Sequence, residues 1–217
     1  MTQEVGTATA LESRSPHSPT FASVVGDLPD RPLQLLREWY ATARALGVVT
    51  PEYVTLATAD RTGAPSSRIV QLLEIEPDAL VFCTNLGSRK GVEIAATGRA
   101  AVSVYWPGVE RSVNLSGVVE IAADDENDRR FRAEPRVVQA ARSVSFHGRA
   151  LDDEQAQRAA FDDLASRADP LPRPAYWAWF RVRPDSATFW EPGAGSLNRR
   201  VHYARSADGW THGRIQA

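Results

Sequence analysis

The chain has 217 residues, enough for one large domain or two small ones. Its formal charge of −2 argues against nucleic acid or an anionic membrane as the main partner. Its single cysteine, Cys83, rules out an intrachain disulfide framework or a cysteine-based zinc site. No apolar run approaches about 18 residues, and the N-terminus lacks a basic-then-apolar leader profile, so the expectation is a cytoplasmic protein with no membrane span.

Residues 1 to about 28 are rich in Ser, Thr, Pro, Gly and Ala without periodicity, the pattern of a disordered arm. Residues 29–217 are expected to form one domain. Asp30 and Pro32 mark a helix start. Leu35, Leu36, Trp39, Tyr40, Ala43 and Leu46 share a face, and Gly47 is a natural stop. From Tyr53 the period shifts to two. Strands are expected at 53–59, 66–74 and 79–84, then a helix over 88–97, then strands at 100–106 and 112–122 around Pro107-Gly108. Five strands with short connections predict a mainly β, antiparallel barrel with flanking helices, not a doubly wound sheet.

Helices are expected over 124–133, 135–145 and 152–168, the last with Ala156, Ala159, Ala160, Phe161 and Leu164 facing inward. The run Asp169-Pro-Leu-Pro-Arg-Pro174 is a rigid connector. Strands at 176–183, 187–190, 200–205 and 210–215 then return to complete the barrel. Trp177 and Trp179 share a strand face and read as core.

The chemistry concentrates between Arg68 and Lys90. Lys90 is the only lysine among 25 Lys and Arg residues. Thr84, Asn85, Gly87 and Ser88 form a turn opening onto a helix, whose first N–H groups lack partners and favour an anion. Arg89 and Lys90 place two cations in that first turn, against the helix dipole. A bound phosphate would resolve the conflict; an ordinary capped helix with two exposed bases is the alternative. His147, before Gly148, is either a group acting at a site or an exposed loop histidine. Four scattered histidines and one cysteine make no metal site. The acidic runs at 124–126 and 152–154 are explained as charged first helical turns.

The segments V-T-L-A-T-A-D-R-T-G-A-P-S-S-R-I-V, V-F-C-T-N-L-G-S-R-K-G, P-L-P-R-P and F-W-E…R-R-V-H-Y together resemble the pyridoxine/pyridoxamine 5′-phosphate oxidase family, including its phenazine-biosynthesis flavin oxidases. The resemblance runs from about Leu33 to the C-terminus. It implies an FMN-binding split β-barrel, a homodimer with FMN at the interface, and an oxidase acting on a small molecule with O2 as acceptor. On the matching positions, Arg68, Ile69 and Val70 occupy the family's first flavin-binding strand, Arg68 holding the phosphate and the Val70 main chain lying along the isoalloxazine; Cys83 and Thr84 match a flavin-contacting pair, and Ser88, Arg89 and Lys90 match the phosphate-binding turn. Ser112 stands where the family has Gln, while Trp190 and Arg200 match contacts supplied across the dimer.

The substrate end departs from the vitamin B6 enzymes. Leu73 replaces their substrate-phosphate lysine. Arg130, Glu134 and Val138 stand for their Tyr, Arg and Ser, and Ser196 and Asn198 replace an Arg and a His. Burying a phosphate dianion without cations is costly, so a reduced dihydro-aromatic or amine substrate, plausibly of phenazine type, is expected. Arg130, Arg136, Arg142 and Arg199 are candidate carboxylate partners. A pyridoxamine phosphate oxidase, a deazaflavin- or FMN-dependent reductase and a non-catalytic flavin-binding protein are the rival readings.

Overall fold

The computed structural model describes residues 27–193 and 197–216, so the expected N-terminal arm lies almost wholly outside the described residues. Helix α1, Pro32–Ala45, starts with Pro at its first position, where no N–H is needed. Arg31, not Asp30, occupies its N-cap, without a side-chain cap. Leu33, Leu35, Leu36, Trp39 and Ala43 are buried by the helix against the main core. There the Trp39 ring meets Phe189 edge-on at 5.2 Å.

The strands are β1 Tyr53–Ala59, β2 Pro65–Gln71, β3 Glu74–Ile75, β4 Leu80–Asn85, β5 Arg99–Trp106, β6 Arg111–Ile121, β7 Trp177–Glu191, β8 Arg199–Ser206 and β9 Gly209–Ile215. Pairing is antiparallel in the order β2-β1-β5-β6-β7-β4-β3. The β2–β3 ribbon belongs to both ends of this path. It pairs with β1 along 65–71, then crosses over, and Leu73 N–H donates to Val81 O at 2.8 Å. The sheet thereby curls round on itself, as the short antiparallel connections predict. Alternation sends Val54, Leu56, Val102, Val104, Val113, Leu115, Ala187 and Phe189 inward.

Three expectations are corrected. The strands expected at 176–183 and 187–190 are one 15-residue strand. Pro184 does not break it, because pairing with β4 ends at Val182 and pairing with β8 begins at Ser186. On its other side Pro184 faces Gly117 at a β-bulge, so no ladder N–H is required of it. Only β7 of the late strands enters the barrel; β8 pairs with β7, and β9 with β8, as an extension off the path. Helix α5, Glu154–Ser166, buries no residue fully, although an inward apolar face was expected. It rides on α4, Arg136–Val144, across a groove lined by Ala141, Val144 and Phe161; Ala156, Ala159 and Ala160 are exposed, and only Leu164 of the expected face packs, half-buried, against a core cluster.

Candidate functional site

The turn after β4 leads into α2, Arg89–Thr97. Ser88 caps it: its hydroxyl accepts from Gly91 N–H at 3.3 Å and donates to Asn85 O at 2.7 Å. Ser88 was expected at the cofactor, but its hydroxyl is buried and engaged in building the helix start. Gly91 is required by close approach, since a Cβ there would lie 2.4 Å from Leu86 O. Gly91→Ala is therefore expected to lower stability by about 1–3 kcal/mol, read by denaturant titration; an unchanged midpoint would contradict the close packing.

Helix α2 brings Glu93 beneath β1 and β2. Glu93 is 4% exposed and accepts from Thr58 and Ser66 hydroxyls at 2.5 and 2.6 Å, and from Arg89 at 2.8 Å. Arg68 reaches the same spot, 3.5 Å from Glu93, donating to Leu56 O, Thr58 Oγ1 and Ser66 Oγ. Lys90 Nζ, half-buried, donates to Thr84 Oγ1 at 3.2 Å. Its pKa is lowered, first by burial and then by the Arg68 charge. Lys90 thus lies within electrostatic reach of Arg68 at a helix N-terminus whose first turn holds no acidic side chain. Such a cluster is suited to a dianionic phosphate. Sequence reasoning placed Arg68, Thr84 and Lys90 here but missed Thr58, Ser66 and Glu93; the lone acid four residues after Arg89 was the available signal.

The hydrogen bonds from Ser66, Thr58 and Arg89 hold Glu93 down to about 2, and those from Arg181 and Arg130 hold Glu126 at about 2, against a usual value of 4.5. Depressed carboxylates contribute stability that is present above their usual pKa and lost as pH falls through the folded value. Melting temperature is accordingly expected to fall between pH 4.5 and 2, and Glu93→Gln should flatten that fall. An identical acid profile for the variant would remove Glu93 from the account.

A second group lies elsewhere. Ser112, Trp190 and Arg200 are register partners across β6, β7 and β8. With Tyr105, Asn114, Thr188 and Ile215 they line an open cavity of about 560 Å³. They alternate with buried Val113, Phe189 and Val201, so they occupy the outer sheet face. Ile69, 62% exposed, shares that face. Arg68, opposite buried Leu56, points to the inner one. One copy of the chain therefore does not bring these two groups together. Val70 packs half-buried against the main core.

The third group surrounds a smaller cluster of Val81, Ala122, Phe131, Leu171, Trp177 and Trp179, against which Leu73 and Cys83 pack. Burial pushes the Cys83 thiol up to about 11, so it stays neutral. Of the sequence-predicted substrate residues Leu73 packs on this cluster, while Arg130 is already held by Glu74, Glu76 and Glu126. Glu134, on the loop joining α3 (Asp124–Ala133) to α4, pairs with Arg142 at 2.7 Å. Val138 is half-buried on α4. Arg136 donates to Asp169 O at 2.7 Å, and Arg199 lies 3.1 Å from Glu191. His147 stands edge-on to Trp177 at 5.3 Å; its pKa is lowered by burial and by Lys90, which links this group to the first. Asn198 is exposed, and Ser196 lies outside the described residues.

This curled antiparallel barrel, with a phosphate-suited helix start beside an apolar cluster, defines the flavin-type split-barrel oxidoreductases. The chain belongs to the pyridoxamine 5′-phosphate oxidase family, whose model matches residues 42–191. It is 37% identical over 188 residues to a dihydrophenazinedicarboxylate synthase from Pseudomonas chlororaphis, covering 87% of this chain and 85% of that one. It is 36% identical over 190 residues to a pyridoxine/pyridoxamine 5′-phosphate oxidase from Anaeromyxobacter dehalogenans, covering 87% and 96%. Among solved structures it superposes on PhzG from Burkholderia lata, in complex with tetrahydrophenazine-1-carboxylic acid, with TM-score 0.84 and 32% identity, covering 88% of this chain and 95% of that one.

Proposed function

We propose that this chain is an FMN-dependent oxidase that takes electrons from a reduced, flat dihydro-aromatic small molecule and passes them to dioxygen. The observation that carries the reading is the cation Lys90 in the first turn of α2, hydrogen-bonded to Thr84 and close enough to Arg68 to feel its charge, an arrangement that a flavin's phosphate would relieve. Bound FMN would supply the redox chemistry, accepting a hydride from the substrate and being reoxidised by O2 to give H2O2. The chain's own residues bind and orient. Arg68, Lys90 and the first N–H groups of α2 hold the phosphate, while Val70, Cys83 and Thr84 line the path away from it. Cys83, neutral, adds no charge beside the flavin.

The second half of the cofactor site comes from another copy. Ser112, Trp190 and Arg200 occupy the outer face, which a flavin held by Arg68 on the inner face of the same copy does not reach. The row Thr55, Ser103, Asn114, Thr188 and the row Ala57, Ala101, Ser116, Ser186 on that face are small and uncharged. A broad uncharged face of this kind suits an isologous contact.

The substrate reading rests on what stands over Cys83. Leu73 and Val138 carry no charge, and the charges of Arg130 and Glu134 are already balanced by protein partners. Among the described residues there, Arg130 and Arg142 are each paired with glutamates, which leaves too little positive charge for a phosphate dianion, whereas a planar apolar ring system meets Trp177 and His147. The relatives' names, a dihydrophenazinedicarboxylate synthase among them, agree with this class.

The purified protein is expected to be yellow, its reduced flavin to reoxidise in air, and dihydrophenazine carboxylates to be oxidised in preference to pyridoxine 5′-phosphate. Failure to bind FMN sinks the cofactor reading. Reduced flavin that persists in air favours a reductase, and faster turnover of pyridoxine 5′-phosphate reverses the substrate assignment.

A further inference from the structure

Two buried donors in the apolar cluster lack hydrogen-bond acceptors, and they are neighbours. The Trp177 residue is 5% exposed and its indole Nε1 has no hydrogen-bond partner. The Cys83 thiol is near enough to feel this N–H, but sulfur is a weak acceptor and no bond is completed. The guanidinium carbon of Arg142 lies 5.1 Å from the centre of the Trp177 ring and 5.0 Å from that of Trp179. Its Nη1 sits 2.7 Å from Glu134 Oε1, yet out of line for a hydrogen bond. Buried polar groups in folded proteins are nearly always satisfied, so the unpartnered indole N–H, beside an arginine whose ion pair is poorly aligned, asks for a further acceptor.

Resting on the oxidase reading above, we infer that Arg142 and the Trp177 indole N–H form a subsite for a carboxylate carried by the planar substrate. Three features fit a monoanion and not a phosphate. The side chains of Arg142 and Glu134 are only 12% and 19% exposed, so the pair is desolvated and already neutral overall. A carboxylate beside that pair leaves one surplus buried negative charge, which two donors can hydrogen-bond, while a phosphate dianion would leave two. The guanidinium plane, held over two indole faces, extends a flat apolar wall on which a polycyclic ring can lie. The subsite also has the right neighbours. Cys83 is adjacent in sequence to Thr84, which accepts from Lys90, and His147 touches the edge of the same Trp177 ring. Glu134 sets the orientation of Arg142 and is a positioning residue.

The test uses FMN-loaded protein and two probes of the same ring system, phenazine-1-carboxylic acid and the uncharged phenazine-1-carboxamide, titrated by flavin fluorescence. Wild type is expected to bind the acid more tightly. Arg142→Met is expected to weaken acid binding by about 10- to 100-fold and to leave the amide within about twofold. Trp177→Phe keeps an aromatic ring but removes the N–H together with the fused five-membered ring; it is expected to weaken the acid by about 5- to 10-fold relative to the amide, a ratio that general loosening of the cluster would not change. Glu134→Gln removes the competing carboxylate and is expected to tighten the acid severalfold, whereas a merely structural ion pair would loosen both probes. Wild type binding acid and amide equally, or variants losing both equally, overturns the subsite and leaves the oxidase reading intact. Wild type that binds neither probe overturns both.

Discussion

Lys90→Ala is expected to weaken FMN binding by about 10- to 100-fold while leaving riboflavin binding unchanged. A charge-assisted hydrogen bond to a phosphate contributes about 1.5–3 kcal/mol, and each 1.4 kcal/mol is tenfold in affinity. Lys90 suits the test better than Arg68. The Arg68 guanidinium also ties Leu56 O, Thr58 and Ser66 together above Glu93, so its removal would disturb β1, β2 and α2 at once. Lys90 makes one side-chain hydrogen bond, to Thr84, and its loss relieves the repulsion from Arg68. Riboflavin lacks the phosphate and serves as the control in the same fluorescence titration. Equal losses for both flavins would mean that the helix start has collapsed. No loss for either would place the phosphate elsewhere.

The second large effect concerns subunits. Lys90→Ala and Arg200→Ala proteins, each deficient in FMN alone, are expected to regain flavin binding when unfolded together and refolded. In a mixed dimer one site collects both substitutions and the other collects neither. Random pairing then restores about a quarter of the sites. The expectation follows from the sheet: Arg68 faces inward opposite Leu56, while Arg200 faces outward opposite Trp190. Absorbance of the refolded mixture after removal of free flavin gives the answer. A mixture no better than its components would put both half-sites in one copy and overturn the dimeric arrangement.

The sequence was sufficient where the signal is local. The 3.6-residue apolar repeat of α1, the alternation of β1 and the turn before α2 are set by neighbours within a few residues, so their elements fall within a residue or two of expectation. It misled where a partner strand decides. Two strands were expected where one runs through Pro184, because sequence cannot show that the opposing ladder changes partner at that position. The alanines of α5 looked inward because their pattern does not say what lies beneath them.

The candidate site divides in the same way. The cationic helix start and its anion were legible, because a helix terminus and two bases in its first turn carry their electrostatics with them. The resemblance of the chain's motifs to a known family also implied the split barrel and the oxidase. Only the tertiary structure decided what those residues meet. Glu93 lies 35 residues from Thr58 and closes the floor under Arg68. Arg130, a candidate for substrate, is held by three glutamates, two of them more than 50 residues away in sequence. Arg142, one arginine among many in the sequence, is singled out by two indole faces and an unfinished hydrogen bond. Periodicity and helix electrostatics act over a few residues and are written in the chain. Which charges are already neutralised depends on contacts between distant segments, and these exist only once the sheet has curled.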